Sequence, residues 1–289
     1  ADWLDQVTAA IPPLFWPLYE AFSPGPLTFV MPRHSRIPDS VTAGLSTVAV
    51  RFPSQVAARA LLQAAGVPVV APSANLSGRP SPTRARHVLD DFAGRIPYLI
   101  DDGPCEVGLE STVIDLTADP PMILRPGKIT AAGIREATGI QVSIWTGSLL
   151  PDGLDAPPSP GMKYRHYAPR ATVLVGIGRS LAARARHTAE LVQEEVAAGR
   201  SVGVFASSKA ILLIKEMQKA APNENWPVRL VSYGELDDSV QASARLFDAF
   251  RTLDASGVDR IVVQSLSEKG MGAAYMNRVR KASAQKTGE

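Results

Sequence analysis

Cysteine is almost absent from the 289 residues. Cys105 stands alone, so no intramolecular disulfide can form. With only four histidines, at positions 34, 87, 166 and 187, no spacing matches a zinc cluster. A reducing compartment fits, and a cytoplasmic location is expected. Charge of one sign is lacking too. The 30 Lys and Arg against 28 Asp and Glu leave a formal net charge of +2, which gives no general electrostatic drive toward nucleic acid or a membrane, so any polyanion must be met by a local cluster. No apolar run reaches the roughly 18 residues of a membrane span, and no basic-then-apolar leader opens the sequence. Internal repeats and low-complexity tracts are also missing. What is present is 45% apolar residues, enough for ordinary globular cores, over a length that predicts two domains at about one per 150 residues.

Two short helices are expected between Ala1 and Phe22, because helical spacing is broken by Pro12-Pro13 and Pro17. Leu27–Met31 and Thr47–Arg51 read as strands and Ser54–Ala65 as a helix. The apolar run Val67–Ala71 reads as a buried strand that completes a βαβ unit. It opens into Ser73-Ala-Asn-Leu-Ser77, where Ser73, Asn75 and Ser77 would stand at the strand's carboxyl end, the edge at which open α/β sheets bind ligands. Ser81-Pro82 reads as the N-cap and first residue of a helix closed by Gly94, so free backbone N–H groups would add to an anion site. Further strands are expected at Tyr98–Asp101, Gly108–Asp115 and Met122–Arg125, then a helix from Thr130 to Gly139. The proline-rich stretch 149–160 marks a boundary. Beyond Ala171, strands near Thr172, Val202, Val228 and Arg260 alternate with four helices, the pattern of a doubly wound parallel sheet.

Polar clusters fall where strands end: Arg51; Ser73 to Ser81; Ser111-Thr112; and Arg125-Pro126-Gly127-Lys128. No nucleophile has a partnered base, so the expected chemistry relies on positioning and charge neutralisation, as phosphoryl and nucleotidyl transfer do. Arginine forks at Arg51 and Arg125 suit a carboxylate or phosphate. Taken singly, these loop hydroxyls and amides more often satisfy nearby backbone groups than touch a ligand. The segment Ser159-Pro-Gly-Met-Lys-Tyr-Arg-His-Tyr-Ala-Pro169 carries two tyrosines and three cationic or titratable side chains, unusual for a tether, and reads either as a flap over an anion or as a solvated hinge. Gly176-Ile-Gly178 is a weak dinucleotide signal without a third glycine or a ribose-binding acid. Lys269-Gly-Met-Gly272 reads equally as an anion loop or a tight turn.

Together, Pro24-Gly-Pro-Leu-Thr28, Val48-Ala-Val-Arg51, Ala71-Pro-Ser-Ala-Asn-Leu-Ser-Gly78, Glu110-Ser-Thr-Val113 and Leu124-Arg-Pro-Gly127 resemble the YrdC-like threonylcarbamoyl-AMP synthases. The segment 159–169 and Gly270-Met-Gly-Ala-Ala-Tyr-Met-Asn-Arg278 resemble the long form, which carries an extra Rossmann-like domain. The resemblance implies an α/β protein: a YrdC-like twisted mixed-sheet domain over 1–148, a linker or lid over 149–170, and a smaller doubly wound parallel-sheet domain over 171–289. The family's opening strand and loop, with a threonine-rich turn and a Lys-x-Arg pair, has no match before Pro24, so the mixed-sheet domain is expected to lack its N-terminal segment. The implied activity condenses L-threonine, bicarbonate and ATP into threonylcarbamoyl-adenylate with release of pyrophosphate, and the product passes to a tRNA-modifying complex. Carried over by motif, Arg51 and Ser111 would hold threonine. Thr47, Ser73, Asn75, Ser81, Arg125 and His166 would line ATP, and Lys163, Tyr164, Arg165 and Tyr167 would form the lid. Magnesium would come with ATP, held by phosphates rather than a protein cage. Whether the protein itself touches tRNA stays open. Two other readings stay open: a non-catalytic nucleotide- or RNA-binding module without the basic N-terminal segment, and carbamoyl transfer to another acceptor.

Overall fold

The computed structural model describes residues 3–145, 167–221 and 226–283. The chain divides into two compact units, Ala1–Pro72 with Glu110–Lys163, and Ser73–Leu109 with Tyr164–Glu289.

The first unit opens with α1 (Leu4–Val7), α2 (Phe15–Phe22), β1 (Leu27–Pro32), α3 (Asp39–Thr42), β2 (Thr47–Arg51) and α4 (Val56–Ala65). The chain then enters the second unit, where α5 (Ala85–Phe92) forms, and returns as β3 (Thr112–Asp115), β4 (Met122–Arg125), α6 (Ala131–Thr138) and β5 (Ser143–Ile144). The strands make one mixed sheet in the order β2-β1-β3-β4-β5. Pairs β1–β2 and β3–β4 are antiparallel, whereas β1–β3 and β4–β5 are parallel. Alternation explains the central strand: Leu27, Phe29 and Met31 point into the core that also takes Phe15, Leu18 and Ile114. The Phe15 ring, fully buried on α2, lies 4.9 Å from Phe29 edge-on. Thr130 caps α6 by accepting from the Gly133 N–H at 3.1 Å, and Gly139 closes it in the left-handed conformation.

The second unit continues with β6 (Thr172–Gly176), α7 (Leu181–Ala197), β7 (Val202–Ala206), α8 (Ser208–Ala220), β8 (Val228–Ser232), α9 (Ser239–Ala255), β9 (Arg260–Gln264) and α10 (Met271–Ser283). All its strand pairs are parallel, in the order β6-β9-β7-β8. Every residue of β7 is buried, as expected of a strand covered on both faces. One cover is built on Phe247, Phe250 and Tyr275 of α9 and α10, the other on Val192 and Ile214 of α7 and α8. The doubly wound reading holds, and so does the mixed sheet of the first unit.

Four expected element assignments fail. Val67–Ala71 and Tyr98–Asp101 are not strands; they are irregular and exposed, with Val70 65% and Tyr98 88% accessible. Apolar composition meets only one condition for a strand, and neither sheet's register offers these segments a partner among the described residues. The expected βαβ unit is therefore β2 and α4 followed by coil. Gly108–Ser111 stays outside β3, which starts at Thr112. The helix expected from Ser81-Pro82 begins at Ala85. There the Thr83 N–H donates to the His87 Nδ1 at 3.1 Å, a side-chain contact that occupies the place of a serine cap.

Candidate active site

In the first unit, strand register brings the two strand-end arginines into one row. Thr28 of β1 lies opposite Arg51 of β2 on one side and Val113 of β3 on the other, and Val113 lies opposite Arg125 of β4. A register shift between Val113 and Ile114 interrupts the β3–β4 ladder at this row, as bulges do where a side chain is re-aimed. Arg125 turns to Ser111: its Nε donates to the Ser111 carbonyl at 3.1 Å and its Nη2 to the Ser111 Oγ at 3.1 Å. The same Ser111 hydroxyl is 2.7 Å from Thr28 Oγ1, so Arg125, Ser111 and Thr28 form one hydrogen-bonded chain. Ser111 is buried, Arg125 half-buried and Arg51 exposed. Thr112 Oγ1 donates to the Ile129 carbonyl at 2.7 Å and accepts the Ile129 N–H at 3.1 Å, which staples the turn after Arg125 to the start of β3. Thr47 is not part of this row. It pairs with Pro32 at the opposite end of β2, about 13 Å along the strand from Arg51 at some 3.3 Å per residue.

In the second unit, Ser73 to Ser81 is a compact loop. The Asn75 N–H donates to the Ser73 carbonyl at 2.9 Å, and Asn75 Nδ2 bridges the carbonyls of Leu76 and Arg79 at 2.9 and 3.2 Å. Asn75 Oδ1 is buried without a donor among the described residues. Ser73 and Ser77 are exposed, and Ser81 is buried. The loop also receives the chain from the segment expected to act as a lid, since the Ala168 N–H donates to the Gly78 carbonyl at 3.0 Å. Tyr167 is buried, with its ring 5.4 Å from that of Phe247 and the Arg278 guanidinium 5.8 Å above its centre. Lys163, Tyr164, Arg165, His166 and the stretch 149–160 lie outside the described residues.

The two other glycine motifs have packing roles. A Cβ on Gly176 would come within 2.1 Å of Thr188 Oγ1, and one on Gly178 within 2.7 Å of the Ala183 backbone, so both let β6 approach α7 closely. A Cβ on Gly272 would overlap the Ser267 carbonyl oxygen at 1.7 Å. Tight strand-to-helix packing accounts for all three.

Sequence reasoning missed Asp91, Arg79, Thr28 and Arg251. Only Thr28 carried a local signal, as the last residue of Pro24-Gly-Pro-Leu-Thr28. Asp91 is fully buried in its side chain and pairs with Arg79 at 2.7 Å and Arg251 at 2.7 Å. Burial works to raise its pKa, but the hydrogen bonds from Arg251 and Arg79 outweigh that and hold it below the ordinary carboxylate range.

His87, beside it, is also buried. Its Nδ1 accepts the Thr83 N–H, which leaves the proton on Nε2, 3.1 Å from Asp248 Oδ1. Burial, then the charge of Arg251, lowers its pKa; the Asp248 carboxylate acts the other way without prevailing, and Arg86 adds to the lowering. The unfolded chain therefore binds a proton near pH 6.5 that the folded chain refuses until lower pH. This stabilising contribution is complete above about pH 6.5 and is lost as pH falls toward the depressed folded value. The melting temperature is expected to fall between pH 7.5 and 5.5, and to fall less in His87→Gln. An equal slope in both proteins, by calorimetry, would assign the effect to other groups.

Arginine forks and hydroxyls on a mixed sheet, with a doubly wound sheet in the other unit, define an α/β protein equipped to hold anionic groups. Residues 1–127 match the family model described as "Telomere recombination", that of the Sua5, YciO and YrdC proteins, and residues 129–284 match the threonylcarbamoyl-AMP synthase C-terminal domain. The threonylcarbamoyl-AMP synthase of Pyrococcus abyssi is 41% identical over 283 residues, 98% of this chain and 77% of that protein. That of Bacillus subtilis is 40% identical over 280 residues, 96% of this chain and 75% of its own. The crystal structure of P. abyssi Sua5 complexed with L-threonine matches with a TM-score of 0.84 at 39% identity, covering 98% of this chain and 77% of that one. The chain belongs to the threonylcarbamoyl-AMP synthase family.

Proposed function

We propose that the protein condenses L-threonine, bicarbonate and ATP into threonylcarbamoyl-AMP, with pyrophosphate as leaving group, for tRNA modification in the cytoplasm. The threonine amine and bicarbonate form a carbamate with loss of water. A carbamate oxygen then forms the bond to the α-phosphorus as the bond from that phosphorus to the bridging oxygen breaks. The observation that carries this reading is the hydrogen-bonded chain Arg125–Ser111–Thr28 in register with Arg51. It places fixed donors and two cations on one sheet, the equipment of a reaction that needs charge neutralised rather than a covalent intermediate.

In this reading Arg51 and Ser111 hold the threonine carboxylate and its neighbouring polar atoms; the threonine bound to P. abyssi Sua5 supports that substrate. Thr47, Arg125, Ser73, Asn75, Ser81 and His166 contact ATP, with the orphan Asn75 Oδ1 as an acceptor for a ligand N–H. Lys163, Tyr164, Arg165 and Tyr167 belong to a lid that keeps water from the adenylate, and the working division of the chain is 1–148, 149–170 and 171–289. Magnesium accompanies ATP. In this reading the ion is held mainly by the phosphates, with water completing its shell. No helix among the described residues is long and apolar enough to cross a membrane.

Pyrophosphate release from ATP should require both L-threonine and bicarbonate. Release that ignores threonine would point to another carbamoyl acceptor, and no release at all to a binding module.

A further inference from the structure

Helix α9 presents polar side chains at intervals of three, Asp248, Arg251 and Asp254, so they follow one another along one side of the helix. Each ends on a different piece of the same unit. Asp248 accepts from Arg84 Nε at 3.2 Å and Arg86 Nη2 at 2.8 Å, and Asp254 Oδ2 accepts from Arg170 Nε at 3.1 Å. Arg251, in the middle, reaches the Ser73–Ser81 loop. Its Nε and Nη2 donate to the Pro80 carbonyl at 3.1 and 2.7 Å, and its Nη1 to the His87 carbonyl at 3.3 Å. Its Nη2 also meets Asp91 Oδ2 at 2.7 Å, and its Nη1 meets Asp91 Oδ1 at 3.4 Å. Asp91 passes the restraint on. Its Oδ1 takes Arg79 Nη1 at 2.7 Å and its Oδ2 the Leu76 N–H at 3.3 Å, while Asn75 Nδ2 spans the carbonyls of Leu76 and Arg79.

We propose that Arg251 and Asp91 are positioning residues for the nucleotide loop: a clamp on α9 that fixes Asn75 to Ser81 in the conformation ATP binds. The proposal rests on the reading that this loop contacts ATP. A buried pair whose only task was stability would need neither the Pro80 carbonyl nor the Leu76 N–H. Here a single guanidinium and a single carboxylate between them restrain four points of one loop and the helix that follows it. A loop held in its bound conformation spares ATP the cost of ordering it, so the clamp acts on nucleotide affinity more than on threonine affinity.

The test is a comparison of Michaelis constants in the full chain, below the melting temperature of each variant. Arg251→Lys keeps the charge but cannot reach Pro80 and Asp91 together; Asp91→Asn, an isosteric change, serves as an independent second variant. Either should raise KM for ATP about tenfold or more and leave KM for threonine within about twofold. Amide exchange of residues 75–81 should also speed up while that of β7 does not. Asn75→Ala separates the two levels. If it raises KM for ATP but both clamp variants leave that constant unchanged, the positioning role is overturned and the pair is structural. If Asn75→Ala also leaves KM for ATP unchanged, the ATP loop itself is misassigned and the proposal falls with it. Equal rises in both Michaelis constants would likewise overturn it, as general loosening.

Discussion

Arg125→Ala is expected to lower kcat/KM for pyrophosphate release by about 10²- to 10³-fold, the loss usual when one preorganised donor to developing charge is removed. Two donors of this guanidinium are fixed on Ser111, through the carbonyl and the hydroxyl, so the side chain is held before any substrate arrives. Its removal takes away a cation and frees the Ser111 hydroxyl to follow Thr28 alone. Arg125→Lys restores the charge without the fork, which cannot serve both Ser111 acceptors in one plane, and should recover only part of the activity. Arg125 is half-buried at the end of β4, so folding should change little. Steady-state rates at saturating and limiting ATP decide the matter: activity within twofold of the parent for Arg125→Ala would remove this residue from the site.

Gly127→Ala should be the most damaging small substitution in the first unit. The glycine is buried, and a Cβ there would stand 2.4 Å from the Thr112 backbone nitrogen and 2.8 Å from the Ser111 carbonyl carbon. Neither neighbour is free to yield. The Thr112 N–H is bonded to the Pro26 carbonyl at 3.0 Å, and its hydroxyl is held at both ends of the Ile129 peptide. The turn must swing away from β3, breaking those bonds. A cost of about 2–4 kcal/mol follows for overpacking combined with lost buried hydrogen bonds, or roughly 5–15 °C in melting temperature for a body of this size. Because Ser111 precedes Thr112 directly, activity should fall even at temperatures where the variant stays folded. A melting temperature within 2 °C of the parent would contradict the packing described.

The second unit was readable in the sequence because each of its strands is a short β-branched run between helices with clear caps: Ser180, Ser207 and Asp238 each accept from a first-turn N–H. The same criterion misled at Val67–Ala71, where composition says nothing about whether a neighbour exists to pair with. Ser81-Pro82 carried a helix-start signature, yet His87 reaches back to Thr83 and the helix opens at Ala85. In the candidate site, arginines at strand ends stood out by type and position. Their common row did not, because register depends on which strands pair, and β1 joins β3 across 79 residues of intervening chain. The clamp on the loop was hidden for a related reason: Arg251 is separated from Pro80 by 171 positions, and no local pattern spans such a distance.

That separation bears on how the protein is made. A ribosome adding about 5–20 residues per second takes on the order of 10–30 s to travel from Pro80 to Arg251. During that interval the nascent loop has neither its guanidinium nor the helix that carries it, and Asp91 has only Arg79 and the Leu76 N–H to meet. The loop can therefore gain its full set of bonds only after α9 has emerged, late in synthesis. Truncated products that end before α9 carry every residue of Ser73 to Ser81 but lack the Arg251 bonds to Pro80 and Asp91, so under the proposed clamp nucleotide binding would mark chains that have been completed through the second unit.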